Sequence, residues 1–178
     1  MSLAKPKILY HASQNRKLEV LEPRAEKIRD EFEGPVVFAS LDKANVAKFL
    51  VPSDDSWTKK MCFGDVHVHI ISDRKRYEKA DKGGTIYHLS PSLFELDKTK
   101  GGGKNEWTTK VPIKPIGREN FDSGLQAQLE NGVQVFFVDK KTLKLINQSD
   151  DHGNEIIRKL KSENEEKNIN IKIIPKVF

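Results

Sequence analysis

Cysteine is almost missing from this chain: Cys62 is the only one among 178 residues. An intramolecular disulfide is therefore impossible and a cysteine-based zinc site is excluded, which suits the reducing cytoplasm expected as its location. Long apolar runs are missing as well, and none approaches the roughly 18 residues of a membrane-spanning helix. Lys5 and Lys7 break up the N-terminal segment before it can take the charged-then-apolar form of a secretory signal. No internal repeat is present. Lys98 to Lys104 holds three consecutive glycines but lacks the Gly-Lys-Ser/Thr ending and following helix of a phosphate-cradling loop, so it reads as a flexible hairpin tip. The charge of either sign is not extreme, with 31 basic and 26 acidic side chains and a net +5. That excess favours anionic partners, a phosphate-bearing small molecule as readily as a nucleic acid.

What is present is a series of short apolar segments in a chain that is 37% hydrophobic and 32% charged, the balance of a polar globular protein. One domain over residues 1–178 is expected, with a motif-bearing core at about 8–140 and a helix-strand extension at about 141–178. Ile8 to Ser13 and Val36 to Ser40 read as strands. Asp42 is a plausible helix N-cap, and Ala44, Ala47, Phe49 and Leu50 follow at near-helical spacing. Pro52 to Lys60 reads as a loop. Met61 to Ile71 reads as a strand with Val66, Val68 and Ile70 on one face and His67 and His69 on the other. Arg74 to Lys82 reads as a charged connection, Gly83-Gly84 as a turn, and Thr85 to Leu89 as a strand. Glu106 opens a further strand, and Val111 to Ile116 with its two prolines is an exit from it. Ser123 to Glu130 is a helix stopped at Asn131-Gly132. Val133 to Val138 is a strand with which Thr142 to Ile146 would pair. Glu155 to Glu166 is a helix and Ile169 to Ile174 a last strand. Many short strands with few short helices make the class α+β.

Three strand-terminal stretches carry candidate chemistry: Tyr10-His11-Ala12-Ser13, Val37-Phe38-Ala39-Ser40 with the helix after it, and Asn105-Glu106-Trp107-Thr108. In this order they resemble the ADP-ribosyltransferase fold family. The resemblance implies a split, bent, mainly antiparallel sheet with short flanking helices, and NAD as substrate. It implies that His11 bonds the nicotinamide ribose, with Tyr10, Ala12 and Ser13 beside it. Phe38, Ser40 and Phe49 would line the nicotinamide pocket, and Glu106 would stabilise the developing oxocarbenium cation. The chemistry is sound for these residue types. A pre-placed carboxylate stabilises positive charge on a sugar, aromatics hold a flat ring, and a histidine bonds hydroxyls. Ala12 stands where the family has glycine, Phe49 where it has tyrosine, and Lys104 where the arginine-modifying members have Glu or Gln. The acceptor is open: protein, nucleic acid or small molecule.

Two other readings stand beside this one. His11-Ala12-Ser13 and His88-Leu89-Ser90 both read His-x-Ser, which resembles the two-histidine phosphoesterases and implies an acid–base pair acting on cyclic phosphates. A catalytically silent binding module of the same fold is the other. His67 and His69 stand two apart on one strand face, a spacing at which two ligands share a metal, but no third ligand lies close in sequence and no metal is expected.

Overall fold

Side-chain alternation and turn chemistry sort this chain into two sheets. The structure, a computed structural model, describes residues 5–24, 34–96 and 106–166. The strands are β1 (Leu9–Ser13), β2 (Val37–Ser40), β3 (Thr58–Phe63), β4 (Val66–Ile71), β5 (Gly84–Leu89), β6 (Glu95–Leu96), β7 (Glu106–Thr109), β8 (Gly117–Phe121) and β9 (Gln134–Phe137). The helices are α1 (Lys43–Ala47), α2 (Arg74–Ala80), α3 (Gly124–Glu130), α4 (Lys140–Gln148) and α5 (Asn154–Glu166). A six-stranded antiparallel sheet runs β6-β7-β2-β1-β5-β8, and a three-stranded sheet runs β3-β4-β9 with β9 parallel to β4. The α+β class with mostly antiparallel pairing and short helices is as the sequence suggests.

Buried side chains project from both faces of the large sheet, so both are covered. On one face Leu9, Val37, Ala39, Tyr87, Leu89 and Trp107 pack with Leu21, Phe94 and Ile113 from the connecting segments. On the other, Ile86 and Phe121, with Tyr10 and Ala12, pack against Val46, Ala47 and Leu50 of the α1 region and Ala127 of α3. The far side of these helices meets the small sheet through Val51, Trp57, Ile71, Tyr77, Val133 and Val135. The outer face of the small sheet is covered by Leu143, Ile146 and Ile157 from α4 and α5. Each such fully buried aliphatic side chain contributes about 1.5–3 kcal/mol. The turn into β5 requires glycine: Gly83 sits at φ +63, and a Cβ there would lie 2.3 Å from the Phe121 carbonyl oxygen. Among the described residues no helix is long and apolar enough to cross a membrane.

Four local expectations are corrected. Met61 to Ile71 is two strands: β3 starts at Thr58, and the chain reverses at Gly64, whose φ is +60. Arg74–Ala80 is a helix, because Asp73 accepts from the Arg76 amide and caps it. Thr142 to Ile146 does not pair with β9 but lies in α4. Asp139 caps that helix through the Thr142 amide, and Leu143 and Ile146 fall on its buried face. Residues 117–121, assigned to no element above, form β8. The Lys98–Lys104 loop and the Ile169–Ile174 strand lie outside the described residues.

Candidate functional site

The three motifs, far apart in sequence, stand on three neighbouring strands. β7, β2 and β1 lie side by side, and Glu106 is directly across from Ser40, which is directly across from Tyr10. The row continues to His88 on β5 and Gly117 on β8. Residues in one row of an antiparallel sheet project to the same face. Glu106, Ser40, Tyr10 and His88 therefore share the face covered by α1. Two strand spacings, about 10 Å, separate the Glu106 and Tyr10 backbones.

β1 and β2 share only the Tyr10–Ser40 register pair, whereas β1 and β5 share five and β2 and β7 share four. Beyond it the ladder stops, and Ala12 and Phe38, the next pair in register, are not joined. The His11 side chain fills part of this interruption. Its Nδ1 donates to the Phe38 carbonyl oxygen at 2.7 Å. A carbonyl only accepts, so Nδ1 carries the proton and a neutral ring presents Nε2 as an acceptor. Burial holds the His11 ring below the usual histidine range; the bond to Phe38 opposes this and the Arg24 charge adds to it. Alternation places His11 on the opposite face of the sheet from Glu106.

The remaining predicted residues are placed as follows. The Ser13 hydroxyl accepts from the Asn15 amide at 3.2 Å, closing a local turn at the end of β1. Ser40 is buried and its hydroxyl accepts from the Asp42 amide at 3.1 Å. Phe38 is half-buried in β2. Phe49 is 55% exposed, and the Lys60 ammonium lies 4.6 Å from its ring centre. Glu106 is half-buried at the start of β7.

His11 and His88 stand on adjacent strands, but Tyr10 is the residue paired with His88 and Tyr87 the one paired with His11. The two rings thus project from opposite faces and form no pair across a groove. His67 and His69 take separate partners. His67 Nε2 donates to Asp42 Oδ2 at 2.5 Å, with the Cys62 sulfur 3.9 Å away. His69 Nδ1 donates to Gln128 Oε1 at 2.7 Å, and Gln128 Nε2 donates to the Tyr77 hydroxyl at 2.8 Å.

Sequence reasoning missed two members of the site face, Lys43 and Glu119. Lys43 is the first residue of α1, positioned because Asp42 caps the helix through the Ala44 and Asn45 amides. Its ammonium lies 5.1 Å from the Tyr10 ring centre and donates to Glu119 Oε1 at 2.7 Å. The same oxygen accepts from His88 Nε2 at 2.6 Å. The His88 ring stands edge-on to Tyr10, with centroids 5.3 Å apart. Partial burial would raise the Glu119 carboxyl, but the bonds from Lys43 and His88 outweigh it and hold it below the usual carboxylate range. Asp42, legible as a helix cap, was the only signal near Lys43; Glu119 lies in no recognisable pattern. Comparison of the chain with protein-family models, with curated proteins and with solved structures found no match.

Proposed function

We propose that this chain binds NAD at the interruption between β1 and β2 and cleaves its glycosidic bond, transferring ADP-ribose to an acceptor or to water. The observation that carries the reading is the adjacency of β1, β2 and β7, which sets Tyr10, Ser40 and Glu106 in one row. The His11 Nε2 lone pair suits a ribose hydroxyl. Phe38 supplies an aromatic edge for a flat ring, and Phe49 can do so where Lys60 yields its face. The Glu106 carboxylate suits the positive charge that develops on the sugar as nicotinamide leaves.

Ligand-observed NMR of NAD with the purified protein tests this. Line broadening of NAD followed by a growing signal of free nicotinamide is the expected result. Binding without release would point to a silent module of the same fold. Absence of both would overturn the reading.

A further inference from the structure

The end of the large sheet at which β1 finishes and β5 begins is basic. Three stretches meet there: residues 14–17 after β1, residues 78–83 from the end of α2 into β5, and residues 118–122 in and after β8. Gln14 Nε2 donates to the Ala80 carbonyl oxygen at 2.9 Å. Arg16 Nη2 donates to the Phe121 and Lys82 carbonyl oxygens at 2.9 and 3.3 Å. Arg118 Nη1 donates to the Arg16 carbonyl oxygen at 3.4 Å. These bonds gather Arg16, Lys17, Lys79, Lys82 and Arg118 at one end of the sheet, and all but the half-buried Arg16 are exposed. The carboxylates of the same stretches are engaged elsewhere. Asp81 turns into the start of α3, where it accepts from the Gly124 and Leu125 amides. Glu119, on the opposite face of β8 from Arg118, is held by Lys43 and His88. Glu78 pairs with Arg74 at 3.0 Å. Among the described residues of these stretches, Asp122, 3.3 Å from Arg16, is the carboxylate left to offset the five cations.

We propose that this surface docks the phosphodiester backbone of a nucleic acid strand, without regard to base. Closely set cations attract a polyanion and release the counterions condensed on it. Polar side chains add donors between them. Asn15 and Asn120 are exposed, and each spends its amide oxygen within the protein, on the Lys17 amide at 3.0 Å and the Thr85 hydroxyl at 2.6 Å. That turns their NH₂ groups outward. Guanidinium, ammonium and side-chain amide groups together are the set that bonds phosphate and sugar oxygens. None of the exposed large apolar side chains belongs to these stretches. The surface therefore has nothing on which bases stack and nothing to enter the acyl layer of a membrane. Tyr87, fully buried, lies 5.9 Å beneath the Arg118 guanidinium and steadies it without being open to a base.

The experiment is fluorescence anisotropy of labelled, mixed-sequence single strands of about 20 nucleotides, one RNA and one DNA, titrated with the full chain between about 50 and 200 mM salt. The assay contains no NAD, so its outcome is independent of the cleavage reading. Wild type should bind both strands alike, with a slope of log K against log salt of about −3, as four phosphate contacts on a single strand give. A variant carrying Lys17→Glu, Lys79→Glu and Lys82→Glu together should bind at least about tenfold more weakly at the lower salt, with a slope near about −1. Should that variant fail to fold, Arg118→Gln serves instead and should lower the slope by about 0.7. Lys140→Glu, Lys141→Glu and Lys144→Glu on the exposed side of α4 change the net charge equally and should leave affinity within about threefold of wild type. If the α4 variant loses as much as the first, net charge and not this surface holds the strand, and the proposal is wrong. It is equally wrong if wild type binds neither strand at the lower salt, or prefers one strand by more than about tenfold, since a backbone contact does not distinguish them.

Discussion

His69 should make this fold acid-sensitive, and the size of the effect follows from where it sits. It is fully buried on β4, with Nδ1 bonded to Gln128 and Nε2 without a hydrogen-bond partner. Burial lowers its pKa from 6.5 to about 4; the Gln128 bond opposes this, and the Lys60 and Lys48 charges add to it. The unfolded chain takes up the proton near 6.5 and the folded chain only near 4. Between these values the unfolded state binds more protons, so stability falls as the pH falls. At about 1.4 kcal/mol per tenfold in proton affinity, the loss is about 2 kcal/mol by pH 5 and about 3 kcal/mol by pH 4. Urea unfolding at pH 7.5 and pH 5 measures it, with His69→Gln as reference because the amide can still donate to Gln128 and does not titrate. Wild type should lose about 2 kcal/mol more than the variant over that interval. Equal losses would mean that His69 is not held neutral in the fold, and the reasoning would be refuted.

Three further outcomes are expected. The Asp81 carboxylate accepts from the Gly124 amide at 2.6 Å, the Leu125 amide at 3.0 Å, the Gly83 amide at 2.9 Å and the Ser123 hydroxyl at 2.8 Å. Asp81→Ala should therefore cost about 3 kcal/mol in urea unfolding, and a loss under 1 kcal/mol would show that water replaces those bonds. Lys48 is 3% exposed and donates to the Met61 carbonyl at 3.2 Å. Lys48→Met should stabilise the protein by about 1 kcal/mol, whereas destabilisation would show that the ammonium is needed between α1 and β3. Phe49→Ala should change stability by less than about 0.5 kcal/mol and weaken NAD binding about fivefold, as loss of one stacking contact would; unchanged affinity would remove Phe49 from the site.

The sequence was legible where one local rule decided the outcome. Val36 to Ser40 could only be a buried strand, and the large sheet indeed runs Val37–Ser40 through its interior. Ser123 predicted the start of α3, and Asn131-Gly132 its end. Misreadings arose where two periods fit equally well or where none was present. Thr142 to Ile146 is short enough to alternate as a strand, yet its apolar pair at Leu143 and Ile146 also fits one helix face, and Asp139 decides for the helix. α2 buries only Tyr77, so its sequence shows charge and no stripe. β8 is an edge strand whose only buried residue is Phe121, which leaves it without a pattern. The site was half visible for the same reason. Tyr10, His11 and Glu106 belong to stretches with a recognisable order. Glu119 comes from the patternless edge strand, and its contacts to Lys43 and His88 join residues from three elements.

The central claim is tested most directly by Glu106→Gln, compared with wild type for NAD affinity and nicotinamide release in the same NMR samples. The variant keeps the shape of the side chain and removes its charge. The account predicts NAD affinity within about threefold of wild type and release slowed at least about a hundredfold, as expected when charge stabilisation of a transition state is lost. Release by the variant at the wild-type rate would contradict it.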